Sequence, residues 1–135
     1  MFKTELCLKV IGDQAYALTE PLIYNDNIVE ITVHPKFDFD GASIPKPLWS
    51  VIGSPMTGGY QRAGCLHDAL YAGEVFDRAI CDQLFLDAMK ADKVGYIRRY
   101  VMYWAVRSAG WTVWKGHKRE EVDLYRNFVS IVTFI

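Results

Sequence analysis

Net charge, cysteine, long apolar runs and internal repeats are what this sequence has least of, and each absence excludes something. Fifteen basic against sixteen acidic residues leave a formal charge of −1. A balance so close to neutral provides no field to gather nucleic acid or anionic lipid, and no nucleic-acid partner is expected. The basic run Lys115-Gly116-His117-Lys118-Arg119 is answered at once by Glu120-Glu121. Three cysteines, Cys7, Cys65 and Cys81, are spaced like neither a disulfide framework nor a zinc ribbon. Cys65 and Cys81 fall in apolar helical patterns and are expected to be reduced, buried, small hydrophobes. No apolar run reaches the roughly 18 residues of a membrane span. The start, Met1-Phe2-Lys3-Thr4-Glu5, lacks the apolar region and cleavage site of a signal peptide. Synthesis and folding in a cytoplasm are expected.

What the chain does have is apolar and aromatic mass. Apolar residues make up 51% of its 135 positions, with four Trp, eight Tyr and seven Phe. That composition builds a core and excludes a disordered linker, and the length suits one domain over residues 1–135. Leu6 to Ile11 and the β-branched run Ile28 to Val33 read as strands, with Tyr16-Ala17-Leu18 a third. Gly12-Asp13-Gln14 and Asn25-Asp26-Asn27 are turn material. Pro35 to Gly59 holds four of the five prolines and reads as a long ordered loop, with a helical turn at Leu48 to Ile52. Three helices are expected next: Tyr60 to Ala72 closed by Gly73, Asp77 to Ala91 with Asp77 as cap, and Tyr96 to Ala109 closed by Gly110. Phe128 to Ile135 is too β-branched for anything but a strand or extended arm. The fold class is α+β: a small N-terminal antiparallel sheet, a long loop, three or more packed helices and a C-terminal strand.

The chemistry concentrates in two segments. Gly64-Cys65-Leu66-His67-Asp68-Ala69-Leu70-Tyr71 puts an imidazole, a carboxylate and a phenol within one and a half helical turns. His67 falls at the margin of an apolar arc, Asp68 about 100° away, and Tyr71 within reach of either. The pair is either an edge histidine with a structurally paired Asp68, or a dyad bordering a cleft. In the second segment, Phe37 and Phe39 lead into Asp40 and would anchor the segment on the core; Gly41 and Ser43 complete a turn. Ser43 has no nucleophile elbow and nothing local to activate it. Asp82 points toward packed surface on its helix and needs a partner. It either pairs with Arg78 one turn earlier, or orients His67 or Tyr71 from the neighbouring helix. Arg107, in the aromatic arc of Tyr96, Tyr100 and Tyr103, is expected to stack and to pair with Asp40, Asp68 or Asp82. The third helix is apolar nearly all round, so much of it is expected to be buried.

Phe39 to Pro45, His67-Asp68-Ala69-Leu70-Tyr71, Asp82 to Met89 and Met102 to Arg107 with Gly110, taken in this order, resemble a family of small uncharacterised proteins encoded by tailed bacteriophages and prophages. The resemblance covers roughly residues 28 to 114 and implies a phage setting, with Asp40, His67, Asp68, Tyr71, Asp82 and Arg107 as the residues that matter. The run His67-Asp68-x-x-Tyr71 is also similar to the helix motif of secreted calcium-dependent phospholipases. In those enzymes the histidine is a general base, the adjacent aspartate holds calcium and the tyrosine supports a buried aspartate, a part that Asp82 would take here. The dense disulfides and glycine-rich calcium loop of that group have no match in this chain.

Two functions follow as expectations. One is a small phage-associated hydrolase with His67 as base on water, Asp68 and Asp40 as positioning carboxylates or oxygen ligands, and Arg107 stabilising negative charge. A lone histidine suits calcium or magnesium better than zinc, if a divalent cation is bound. The other is a non-enzymatic phage accessory or virion-associated module whose polar cluster stitches the fold. In that case the loop around Trp49 and the tail Val129 to Ile135 would meet a phage or host protein, or a second copy in a homodimer.

Overall fold

A computed structural model describes residues 1–13, 15–40 and 59–134. Gln14, Gly41, Ser43, the turn at 48–52 and Trp49 lie outside the described residues. The elements in chain order are β1 (Leu8–Gly12), β2 (Ala15–Leu18), β3 (Leu22–Asn25), β4 (Val29–Val33), β5 (Asp38–Phe39), α1 (Gln61–Ala72), α2 (Arg78–Ala91), α3 (Tyr96–Lys115), α4 (Arg119–Arg126) and β6 (Val129–Thr133). The α+β class holds, and the described strands pair in two antiparallel sheets, β1-β2-β5 and β3-β4-β6. The C-terminal run is a strand, and it joins the N-terminal half by pairing with β4 from Val29↔Thr133 to Val33↔Val129.

Alternation decides which side of the second sheet packs. Val29, Ile31 and Val33 of β4 and Leu22 and Tyr24 of β3 are buried, while the residues between them are partly exposed. The hairpin between these strands is set by Asp26, whose Oδ1 accepts from the backbone N–H of Ile28 at 2.8 Å and of Val29 at 2.9 Å. This is an aspartate turn of the expected kind.

Against the sheets lies a helical hairpin. Contacts between α1 and α2 run in opposite senses: Arg62 binds Asp92, His67 meets Asp82, and Arg78 reaches Tyr71. Seven of the twelve α1 residues are buried, so this helix forms the centre of the molecule. Gly73 ends it and Asp77 precedes α2, both as expected, although the Asp77 side chain makes no capping bond. Cys65 and Cys81 are free and buried. Burial pushes the Cys81 thiol up to about 12 and raises that of Cys65 well above its ordinary value, so neither is a ready nucleophile.

Two helical expectations fail. The third helix does not stop at Gly110 but runs on to Lys115, because Gly110 is a packing residue. A Cβ there would lie 2.6 Å from the Tyr71 hydroxyl. Nor is α3 largely buried: only Met102, Val106 and Gly110 are, while Trp104 and Ile97 are 61% and 79% exposed. The short α4 follows the three helices expected and carries a single buried residue, Val122.

Candidate functional site

The helical hairpin buries a carboxylate and surrounds it with donors. Asp82 Oδ1 accepts from His67 Nε2 at 2.7 Å and from the Tyr71 hydroxyl at 2.7 Å. Its Oδ2 accepts from Arg107 Nη1 at 2.8 Å and, more loosely, from Arg78 Nη1 at 3.4 Å. Three helices thus converge on one side chain that is itself 0% exposed, as is His67. Burial would push the Asp82 carboxyl up. Hydrogen bonds from His67, Tyr71 and Arg107, with attraction to His67, outweigh it and hold the carboxyl below its ordinary value. Asp82 is therefore ionised and only accepts, which places a hydrogen on His67 Nε2. Burial raises the Tyr71 phenol, keeping it a donor.

Packing fixes these groups. The His67 ring lies between Tyr71, at 4.3 Å, and Phe85, at 4.6 Å between centroids. Gly110 gives room for the Tyr71 hydroxyl, and Trp114 meets the Tyr71 ring edge-on at 5.1 Å. Arg78 clamps α2 to α3 by donating to the carbonyls of Val106 at 3.0 Å and Arg107 at 3.2 Å.

Beside this network is a cavity of about 280 Å³, walled by Phe37, Asp38, Phe39 and Asp40 from around β5, by Asp68 and Tyr71 from α1, and by His117, Glu121 and Tyr125 from the C-terminal quarter. Asp40 and Asp68, distant in sequence, border the same space. His67 does not line it, but its chain neighbour Asp68 and Tyr71, one turn on, do. The expected pairing of roles is thereby divided. Asp82 engages His67 and Tyr71, and Asp68 faces the cavity. Arg107 pairs with Asp82, one of its three expected partners, and is not part of the cavity wall. Arg78 also reaches Asp82, so the carboxylate meets both its expected ion-pair partner on its own helix and, from the neighbouring helix, His67 and Tyr71.

Phe37 anchors the β5 segment as its position implied: it is buried and stacks on Phe39 at 5.8 Å and edge-on to Tyr125 at 5.9 Å. Sequence reasoning missed Tyr125, which donates to Asp38 at 3.2 Å, and His117, whose Nδ1 meets Glu74 at 3.0 Å. Both lie on short C-terminal stretches with no local pattern. Among the described residues, no group of three or more His, Cys, Asp or Glu side chains is arranged to hold a metal ion.

The family model described as a protein of unknown function, DUF1353, matches residues 16–106. This chain belongs to that family. The match spans strands β2 to β5, the hairpin α1–α2 and α3 as far as Val106. An uncharacterized protein, y4jT, of Sinorhizobium fredii (strain NBRC 101917 / NGR234) is 41% identical over 78 residues, or 55% of this chain and 23% of the relative. The chain therefore spans less than a quarter of that relative's length. No solved structure matches it.

Proposed function

We propose that this DUF1353 chain is a small hydrolase in which His67 is the general base and Asp82 its positioning partner. The observation that carries the reading is the shared Asp82 Oδ1, which accepts from His67 Nε2 and from Tyr71 at 2.7 Å each. In the proposed step the His67 imidazole takes a proton from water while the water oxygen attacks a carbonyl or phosphoryl centre. The imidazolium then returns the proton to the departing group. Asp82 stays ionised throughout and stabilises the imidazolium, as the carboxylate of other catalytic triads does. Asp68 and Asp40 on the cavity wall position the substrate. If calcium or magnesium enters, these two carboxylates are its ligands, completed by oxygens beyond their own.

The resemblance to phage and prophage proteins supports a role in the bacterial host cytoplasm or on a virion, with a lipid, peptidoglycan or nucleotide component as substrate. Wild type and His67→Ala assayed on phospholipid, peptidoglycan and phosphoester substrates test this. Wild type should exceed background on one class and His67→Ala should not. Equal background rates on all three classes would remove the enzyme reading. Calorimetry with calcium and magnesium should show weak binding, with a Kd of about 1 mM or higher, lost in Asp68→Asn; binding unchanged in that variant would move the cation elsewhere.

One observation favours a second reading, a non-enzymatic phage accessory or virion-associated module. His67 and Asp82 are both fully buried, and their bonds tie α1, α2 and α3 together. A network of this kind specifies packing without catalysis. It predicts inactive wild type and His67→Ala that unfolds more readily.

A further inference from the structure

The reading above leaves two groups of the cavity unused: the histidine on its wall and the carboxylate behind that histidine. All three histidines are among the described residues, and of these His117 lines the cavity while His34 and His67 do not. The His117 ring is held in place. Its Nδ1 meets Glu74 Oε2 at 3.0 Å, both side chains being 16% exposed, and Trp114 packs beside it at 5.9 Å between centroids. The same Trp114 meets Tyr71, which meets His67, so a row of rings runs between the two histidines. Glu74 is held in turn. Its Oε1 accepts from Arg119 Nη2 at 3.3 Å, and Arg126 donates to the carbonyls of Gly73 at 3.0 Å and Glu74 at 3.3 Å. Glu74 also takes a φ of +43°, left-handed backbone that a residue with a side chain keeps only where its surroundings over-determine it.

The ring's orientation follows from its partner. Ion-paired with Arg119, Glu74 is a carboxylate that only accepts, which puts a hydrogen on His117 Nδ1. Nε2, on the other edge of the ring, makes no hydrogen bond among the described residues and is not sealed from water. Glu74 is not on the cavity wall, so the bonded edge turns from the cavity and Nε2 is the nitrogen on its side. The other polar groups of the wall pass a proton less readily. Tyr71 and Tyr125 already donate to Asp82 and Asp38, and burial raises both phenols. Ionised carboxylates only accept. Imidazole both gives and takes a proton near neutrality. We propose that His117 is a second catalytic residue, the general acid that protonates a departing alcohol oxygen in the cavity, with Glu74 as its positioning residue. This rests on the hydrolase reading and divides the two proton transfers of that reading between two histidines. His117 enters as the imidazolium, and its Nε2 proton passes to the departing oxygen as the bond from carbon or phosphorus to that oxygen breaks. His67 takes the proton of the attacking water in the same reaction. Afterwards His117 regains a proton from solvent and His67 releases one, so the net reaction consumes one water.

A general acid is recognised by its dependence on the leaving group. The probes are the 4-nitrophenyl and ethyl esters of butyrate and of methyl phosphate. The 4-nitrophenolate ion departs without a proton, whereas ethoxide needs one. His117→Asn places an amide N–H where Nδ1 stands and keeps the Glu74 bond; His117→Gln is measured beside it. Both variants should lose at least about 100-fold in kcat/KM on an ethyl ester and about tenfold or less on its 4-nitrophenyl counterpart. Partial unfolding would lower the two rates alike, so their ratio reads proton transfer and not stability. His67→Ala should lower both rates alike, because water must be deprotonated whichever group departs. Equal losses on the two leaving groups in the His117 variants would overturn the proposal, as would wild-type rates in them. Wild type that turns over neither pair would overturn it too, while the three substrate classes above decide the hydrolase reading separately.

Discussion

Asp82 shows how one residue can be obligatory for reasons that its own helix does not reveal. Replacing it by alanine leaves His67, Tyr71 and Arg107 facing an empty acceptor position. The two arginines are 20% and 28% exposed and regain some hydration, whereas the histidine does not. Asp82→Ala should therefore cost about 3 kcal/mol in a denaturant titration; a loss below about 0.5 kcal/mol would mean that the network does not form. The sign of the pH dependence follows from the depressed carboxyl. Its contribution is complete above the unfolded aspartate value of about 3.9 and is lost as pH falls through the lower folded value. Wild type should accordingly weaken below about pH 4, and the stability gap between it and Asp82→Asn should close in acid. A gap constant from pH 7 to pH 2 would contradict the assignment.

Among elements, the approach of Tyr71 on α1 to α3 is set by the absence of a side chain. Gly110 sits in the interior of a helix, where glycine costs about 1 kcal/mol relative to alanine, yet alanine there would drive its Cβ to 2.6 Å from the Tyr71 hydroxyl. Gly110→Ala should destabilise by about 1–3 kcal/mol despite its better helix propensity, and should displace Tyr71 from Asp82. Thermal melts of Gly110→Ala and of Gly110→Ala/Tyr71→Phe check this. Removing the hydroxyl should recover part of the loss, and no recovery would place the strain elsewhere. The same contact explains why α3 passes Gly110 when a helix-stop signal is read there. A glycine after an apolar run has the same local signature whether it ends a helix or admits a neighbour.

Across the whole molecule, the pieces are interlocked by contacts remote in sequence. β6 pairs with β4, Tyr125 of α4 packs on Phe37 beside β5, and Trp114 of α3 packs on Tyr71 of α1. Urea unfolding followed by far-ultraviolet circular dichroism and by tryptophan fluorescence should therefore give coincident single transitions; separated midpoints would show that sheets and helices unfold independently. Much of this fold is legible locally. β4 is read from its β-branched run, α1 and α2 from apolar spacing bounded by Gly73 and Asp77, and the hairpin before β4 from Asp26. The inward direction of Asp82 is legible too, since it lies among apolar positions of its own helix. These features depend on periods of two and 3.6 residues and on backbone preferences, which neighbouring residues determine by themselves. Local sequence leaves open which partner each polar group finds. That His67 turns to Asp82 while Asp68 borders the cavity with Asp40, that Gly110 seats Tyr71, and that one apolar side of α3 stays uncovered were decided by tertiary structure. Hydrogen bonds and close packing join atoms by distance in space, and only the assembled chain defines that distance.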